Sequence, residues 1–149
     1  MDLYAELRGV LAELDAAGVE YALCGGLAVA VWGAPRATKD IDLLVRPETV
    51  EAAMQAVAKR KFVLAAAPIT FRDGMRMQRV SRVESGQLLT IDFILADENL
   101  QRAWQSRTKL NTTEGPTWVI SRDALIEMKV AAGRPIDAAD IEKLKEMDR

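Results

Sequence analysis

The chain has 149 residues and a formal net charge of −2, with 50% hydrophobic and 28% charged residues, as in an ordinary globular domain. It contains no histidine and a single cysteine, Cys24, which excludes histidine-based catalysis, histidine zinc sites and internal disulfides. We expect one domain over residues 1–149 in the cytoplasm, with neither a signal peptide nor a membrane-spanning segment.

Hydrophobic spacing, caps and turn residues divide the chain into alternating helices and strands. Helices are predicted over 2–16, 26–33, 47 to about 60, 97–105, 122–132 and 137 to about 147, with Asp2 and Ser121 as N-caps of the first and fifth. Strands are predicted over 19–23, 39–46, 62–65, 75–83 and 87–95, the last two joined in a hairpin by Glu84-Ser85-Gly86, with a further hairpin over 108–120 and a turn-rich connection over 68–74. This order predicts an α/β fold, a mixed sheet of about five strands with helices packed mainly on one face.

Asp40 and Asp42 interrupt an apolar strand. Side chains two positions apart in a strand point to the same face, so the two carboxylates are aimed at one place. Two such carboxylates repel each other unless a cation lies between them. Without histidine, a metal site rests on oxygen ligands, which favours Mg²⁺, Mn²⁺ or Ca²⁺. The alternative is an edge strand whose acids simply face solvent.

Asp92 lies inside a strongly apolar strand. A buried carboxylate is costly unless it is paired or bound to a metal. The alternatives are a position at the strand end, or an ion pair with Arg79 or Arg82. Three acids on two neighbouring strands, downstream of a glycine turn, favour a metal site formed by Asp40, Asp42 and Asp92.

Gly25 and Gly26 end the apolar run of residues 19–23 and precede a helix. Free backbone N–H groups at such a turn suit a phosphate, although a plain tight turn has the same sequence. Arg36, Thr38 and Lys39 come just before the acids and are either ligands of a triphosphate or a solvated loop.

Other polar and aromatic residues favour structural roles. Lys129 lies on a predicted helix, where lysines are mostly solvated. Asp137 and Asp140 are interpreted as the N-cap and a first-turn acid of the last helix. Cys24 is expected to be a buried thiol. The three tryptophans are expected in the core, at positions Trp32, Trp104 and Trp118. Four arginines could form a basic track for nucleic acid or a solvated strand face: Arg72, Arg76, Arg79 and Arg82.

Together these motifs resemble the signature of the polymerase-beta-type nucleotidyltransferases. The signature combines Gly25-Gly26, Asp40-x-Asp42 about fifteen residues later, and a separate Asp92. The stretch GGLAVAVWGAPRATKDIDLLV is more narrowly similar to the minimal and AbiE-type toxin nucleotidyltransferases, as is ALIEMKVAAGRPIDAADIEKL near the C-terminus. Many relatives have Gly-Ser at the turn, so Gly-Gly here lacks a hydroxyl contact to phosphate.

The resemblance implies a function and a role for each motif. The glycine turn would hold nucleotide phosphates, Asp40 and Asp42 would bind two Mg²⁺ (or Mn²⁺) ions, and Asp92 would bind one of them and assist the acceptor hydroxyl. Lys129 would contact the nucleotide, and Arg36 and Thr38 match the family loop.

The implied reaction is metal-dependent transfer of a nucleoside monophosphate from an NTP, such as ATP, to an acceptor. The acceptor could be tRNA, a protein or a small molecule, and the chain could be a toxin with an antitoxin partner. Two alternatives share the fold: a non-catalytic nucleotide-binding domain, and a protein-interaction domain whose acids pair with arginines.

Overall fold

Eight strands form one mixed sheet in the part of the chain that the computed structural model describes, residues 2–34 and 38–147. The strands are β1 (Ala22–Cys24), β2 (Asp40–Val45), β3 (Leu64–Ala65), β4 (Ile69–Thr70), β5 (Arg76–Glu84), β6 (Gln87–Leu95), β7 (Thr108–Thr112) and β8 (Gly115–Val119). Their order across the sheet is β3-β5-β6-β2-β1-β8-β7, and β4 pairs with β5.

The prediction of a mixed α/β fold is confirmed, but the estimate of about five strands was too low. The C-terminal hairpin, β7 and β8, joins the same sheet because β8 pairs in parallel with β1. The two-residue strand β4 lies in the segment that its turn residues marked as a connection, and it is held by pairing with β5.

Six α-helices complete the described fold. They are α1 (Leu3–Ala16), α2 (Gly25–Val31), α3 (Val50–Ala58), α4 (Gln101–Gln105), α5 (Arg122–Ala132) and α6 (Pro135–Glu146). As predicted, Asp2 caps α1 by accepting from the backbone N–H groups of Tyr4 and Ala5, and Ser121 caps α5. Helix α6 begins two residues before the predicted Asp137, because Pro135 suits the first turn of a helix.

The centre of the sheet is the parallel pair β2 and β6. Ile41, Leu43, Ile91 and Phe93 on these strands are at most 1% exposed, so the pair lies within the hydrophobic core. The antiparallel hairpin of β5 and β6 closes through Ser85 and Gly86, which both have positive φ, as two-residue hairpin turns require. No helix within residues 2–34 and 38–147 is long and apolar enough to span a membrane.

Candidate functional site

Three acidic side chains share one face of the central strand pair. Asp42 on β2 is the register partner of Asp92 on β6, and Asp40 stands opposite Thr90. Register partners on adjacent strands point to the same side of the sheet, and Asp40 joins them because it is two residues from Asp42. Asp92 is 4% exposed, whereas Asp40 and Asp42 are half-buried. The structure thus brings together the three acids that the sequence selected.

Burial and mutual repulsion both raise the pKa of two of these carboxyls, Asp40 and Asp42. Burial, followed by the charges of Asp92 and Asp40, raises the pKa of Asp42 to about 7. Burial and the charge of Asp92 also raise the pKa of Asp40, while Arg79 opposes the shift. A divalent cation between Asp40 and Asp42 would remove this repulsion.

Arg79 occupies the third carboxylate. Its Nε donates to Asp92 Oδ1 at 2.7 Å and its Nη2 donates to Asp92 Oδ2 at 3.0 Å. Of the two arginines that the sequence offered as partners for Asp92, Arg79 is therefore the one that pairs. Arg82 instead forms ion pairs with Glu6 and Glu84.

Gly25 is required where β1 ends. Its φ of +66° is one that side chains disfavour, and a Cβ there would collide with Asp42 Oδ2. Gly26 is buried in the first turn of α2. The turn thus brings backbone close to Asp42, and its role in binding phosphate stays a prediction.

The loop before β2 is described in part. Thr38 is half-buried and Lys39 is exposed. The charge of Lys39 partly opposes the rise in the pKa of Asp40, so this cation lies near the acids. Arg36, the remaining loop candidate, lies outside the described residues.

Lys129 is buried, and the expectation of a solvated lysine was wrong. It is 4% exposed, and its Nζ lies 2.9 Å from Asp140 Oδ2 and 3.4 Å from Asp137 Oδ1. Both aspartates are at most 1% exposed, so they do more than cap α6. The charge of Lys129 partly opposes the rise in the pKa of Asp42, so the lysine acts on the acids as well as on its own ion pairs.

Arg134 is a cleft residue that we had not selected from the sequence. Asp137 orients it through hydrogen bonds from Nε at 2.7 Å and Nη2 at 3.0 Å. The Arg134 side chain is 64% exposed, and its charge partly opposes the rise in the pKa of Asp42. Its only sequence signal is an arginine three residues before Asp137, in the stretch that resembles the toxin enzymes.

An open cleft of about 810 Å³ lies over the acids, within the usual size range of small-molecule sites. Arg72, Asp73, Arg79 and Arg134 supply polar groups beside the three carboxylates. The apolar part of the lining comes from β5, β6, α5 and the turn after β4, and consists of Phe71, Met75, Met77, Ile94, Met128, Ala131 and Ala132.

The donors fit a hard divalent cation incompletely. Asp40 and Asp42 offer carboxylate oxygens, which Mg²⁺ and Mn²⁺ prefer. Within residues 2–34 and 38–147, however, no group of three or more His, Cys, Asp or Glu side chains is arranged to hold a metal ion. The guanidinium of Arg79 on Asp92 gives a physical reason for this.

The arginines of the predicted basic track do not form a track. Arg76 and Arg82 lie on the opposite face of β5 from Arg79, because side chains alternate along a strand. Arg76 pairs with Asp97, and Arg72 lines the cleft. The alternative of a merely solvated face also fails, because Arg82 has 10% side-chain exposure and lies over the Phe62 ring.

The aromatic and thiol predictions are confirmed. Trp104 is buried, and Trp32 and Trp118 pack against the core. Arg107 lies 4.5 Å from the ring centroid of Trp104 and 4.7 Å from that of Trp118. Cys24 is fully buried, and burial raises the pKa of its thiol well above the usual value.

Comparison with known proteins establishes the fold. No family model and no curated protein matches the chain. Among solved structures, a Thermotoga maritima protein to which nucleotidyltransferase activity has been attributed matches with a TM-score of 0.68 at 16% identity, covering 97% of this chain and 92% of its own.

Two antibiotic-modifying enzymes have similar structures. The lincosamide antibiotic adenylyltransferase LnuA, solved with lincomycin, matches with a TM-score of 0.63 at 19% identity, over 96% of each chain. ANT(2'')-Ia, in complex with adenylyl-2''-tobramycin, matches with a TM-score of 0.66 at 16% identity, over 95% of this chain and 87% of its own. The chain described here therefore has the nucleotidyltransferase fold.

Proposed function

We propose that this chain is a metal-dependent nucleotidyltransferase that moves a nucleoside monophosphate from an NTP to an acceptor hydroxyl or amine. The observation that carries the proposal is the register of β2 and β6, which sets Asp42 beside Asp92 with Asp40 on the same face. Three carboxylates over one open cleft suit metal-assisted phosphoryl chemistry better than any structural role.

Each residue of the site has a proposed part. Asp40 and Asp42 would hold Mg²⁺ or Mn²⁺, and Asp92, the register partner of Asp42, would bind one ion and assist the acceptor hydroxyl. Backbone N–H groups of Gly25 and Gly26 would bind phosphate oxygens, assisted by Thr38, Arg36 and Lys129. An ion held by Asp40 and Asp42 would supply Lewis-acid chemistry, which lowers the pKa of an acceptor hydroxyl and stabilises an in-line displacement that releases pyrophosphate.

The oriented guanidinium of Arg134 is the best additional candidate for the triphosphate. It faces the cleft, and Asp137 fixes its plane through two hydrogen bonds. A planar, oriented guanidinium can bind two phosphate oxygens at once.

A small-molecule acceptor is favoured over a nucleic acid. Seven of the fourteen residues that line the cleft are apolar, and Arg76 and Arg82 form ion pairs on the opposite face of β5. LnuA and ANT(2'')-Ia, which share the fold, were solved with lincomycin and with adenylyl-2''-tobramycin. An AbiE-type toxin role, an antitoxin partner and ATP as the preferred NTP stay predictions.

The test is thermal melting with ATP, CTP, GTP and UTP in turn, with and without Mg²⁺, on wild type, Asp42→Asn and the surface control Asp15→Asn. We expect a Mg²⁺-dependent stabilisation by at least one nucleotide that only Asp42→Asn loses, because ligands that prefer the native state stabilise it. Transfer of labelled monophosphate to lincomycin, tobramycin or bulk tRNA is then measured with the stabilising nucleotide. No shift with any nucleotide would favour the protein-interaction alternative.

A further inference from the structure

The ion pair of Arg79 with Asp92 joins a buried carboxylate to a guanidinium that is partly exposed in the cleft. Asp92 has 6% side-chain exposure in the middle of β6, whereas the Arg79 side chain is 41% exposed at the cleft. Arg79 uses Nε and Nη2 for Asp92, one on each carboxylate oxygen. Its Nη1 takes no part in these two bonds. Asp92 therefore keeps its position if Arg79 swings into the cleft.

The charges of the other two acids, Asp40 and Asp42, also affect the pKa of Arg79. Its hydrogen bond to Asp92 is the main cause that raises the pKa of the guanidinium, and the charges of Asp92, Asp40 and Asp42 add to it. One positive side chain therefore partly neutralises a cluster of three carboxylates. It does so unevenly, because it is hydrogen bonded to Asp92 and acts on Asp40 and Asp42 from a greater distance.

A divalent ion on Asp92 would have to share at least one carboxylate oxygen with this guanidinium, because Arg79 donates to both oxygens. Two cations held on one carboxylate repel each other strongly when little water lies between them. The stable arrangements are therefore Arg79 on Asp92 or a metal on Asp92. Arg79 does not keep a metal from Asp40 and Asp42, because these two carboxylates repel each other and attract a cation.

We propose that Arg79 is a displaceable counter-ion that reserves Asp92 until substrate arrives. The nucleotide-free protein binds one divalent ion, through Asp40 and Asp42, and Asp92 becomes a ligand only when Arg79 releases it. The group that draws Arg79 away is a nucleotide phosphate, because a guanidinium binds phosphate in the same two-point geometry as carboxylate. This inference rests on the proposed function and assigns Arg79 a positioning role in it.

The direct test is Mn²⁺ binding without nucleotide, measured by calorimetry and by electron paramagnetic resonance. We expect one Mn²⁺ per chain in wild type and two in Arg79→Gln. Arg76→Gln is the matched control, since Arg76 lies on the same strand with similar side-chain exposure, 45%, and pairs with Asp97 on the other face. It should bind one Mn²⁺. Equal binding by wild type and Arg79→Gln would overturn the proposal.

Asp92→Asn provides a second, opposite readout. In wild-type background it should leave Mn²⁺ binding within about twofold, because Asp92 is reserved by Arg79. In the Arg79→Gln background, Asp92→Asn should remove the second ion. If Arg79→Gln alone folds poorly, this double variant avoids the cause, because it leaves no unpaired carboxylate at position 92. A tenfold loss of Mn²⁺ affinity in the single variant Asp92→Asn would show that Asp92 already binds the first ion, and would contradict the proposal.

ATP analogues complete the experiment. With a non-hydrolysable ATP analogue present, wild type should bind two Mn²⁺ ions per chain. If Mn²⁺ binds one per chain under all conditions and depends on Asp42, the displaceable counter-ion is wrong while the metal site stands. If Mn²⁺ binding does not depend on Asp42, the proposed function itself fails.

Discussion

At the residue scale, the protonation of Asp42 couples the site to stability. Its pKa is about 7 in the folded protein against 3.8 for the ordinary carboxyl. A raised folded pKa means that the neutral form is preferred, so the contribution to stability is full below pH about 4 and is lost as pH rises through about 7. The metal-free protein should lose stability across this window.

Asp42→Asn removes that loss because the amide cannot ionise. At pH 8, in EDTA, we expect the variant to melt about 3–10 °C above wild type, equivalent to about 1–3 kcal/mol. The gain should vanish near pH 4, where wild-type Asp42 is protonated. Calorimetric melting across the pH range checks this, with Asp15→Asn as control. An equal gain in melting temperature at pH 4 and at pH 8 would mean that ionisation of Asp42 is not the cause.

A second residue-scale prediction concerns Gly25. Replacement by alanine adds a disfavoured φ and a collision with Asp42, so we expect a loss of about 2–4 kcal/mol in the free energy of unfolding. Gly86→Ala is matched in φ, at +76°, but meets nothing within 4 Å, and should cost about 1 kcal/mol. Urea unfolding of both variants measures the difference. Equal losses would show that the approach to Asp42 is unimportant.

At the scale of elements, Lys129 connects α5 to α6. Lys129→Met removes the buried cation that pairs with both Asp137 and Asp140, and we expect a loss of about 3–5 kcal/mol in the free energy of unfolding although Arg134 still pairs with Asp137. Exposed Lys143 on α6 is the control, and Lys143→Met should change stability by less than about 0.5 kcal/mol. The triple variant with Asp137→Asn and Asp140→Asn should recover part of the loss. Urea unfolding tests all three, and a neutral Lys129→Met would contradict the buried ion pairs.

The sequence was informative wherever local rules decide the structure. The caps of α1 and α5, the turn at Ser85 and Gly86, and the shared face of Asp40 and Asp42 all depend on neighbours in the chain. Lys129 was misjudged because its burial depends on acids of a different helix. The apolar run around Asp92 predicted that this carboxylate is buried and needs a partner, but only the register of β5 against β6 selects Arg79 over Arg82 as that partner.

At the scale of the whole molecule, the charge distribution predicts weak binding to nucleic acid. The net charge is −2, and Arg76, Arg79 and Arg82 are ion-paired on two faces of the sheet. We expect tRNA binding weaker than about 10⁻⁵ M at 150 mM salt, without preference between tRNA and other RNAs. Gel-shift titrations at 50 and 150 mM salt measure this. Efficient nucleotidyl transfer to tRNA would contradict the small-molecule acceptor.

The parallel pairing of β2 with β6 has a consequence for the growing polypeptide on the ribosome. The two register partners of the site, Asp42 and Asp92, are fifty residues apart in the chain, with β3, β4 and β5 between them. Contacts of this kind form late, since a long loop must close first. Until residue 95 has left the exit tunnel, β2 can pair with β1 but lacks its parallel neighbour β6, and Asp40 and Asp42 lack the third acid, Asp92. The three-acid site is thus completed only after most of the chain has been synthesised.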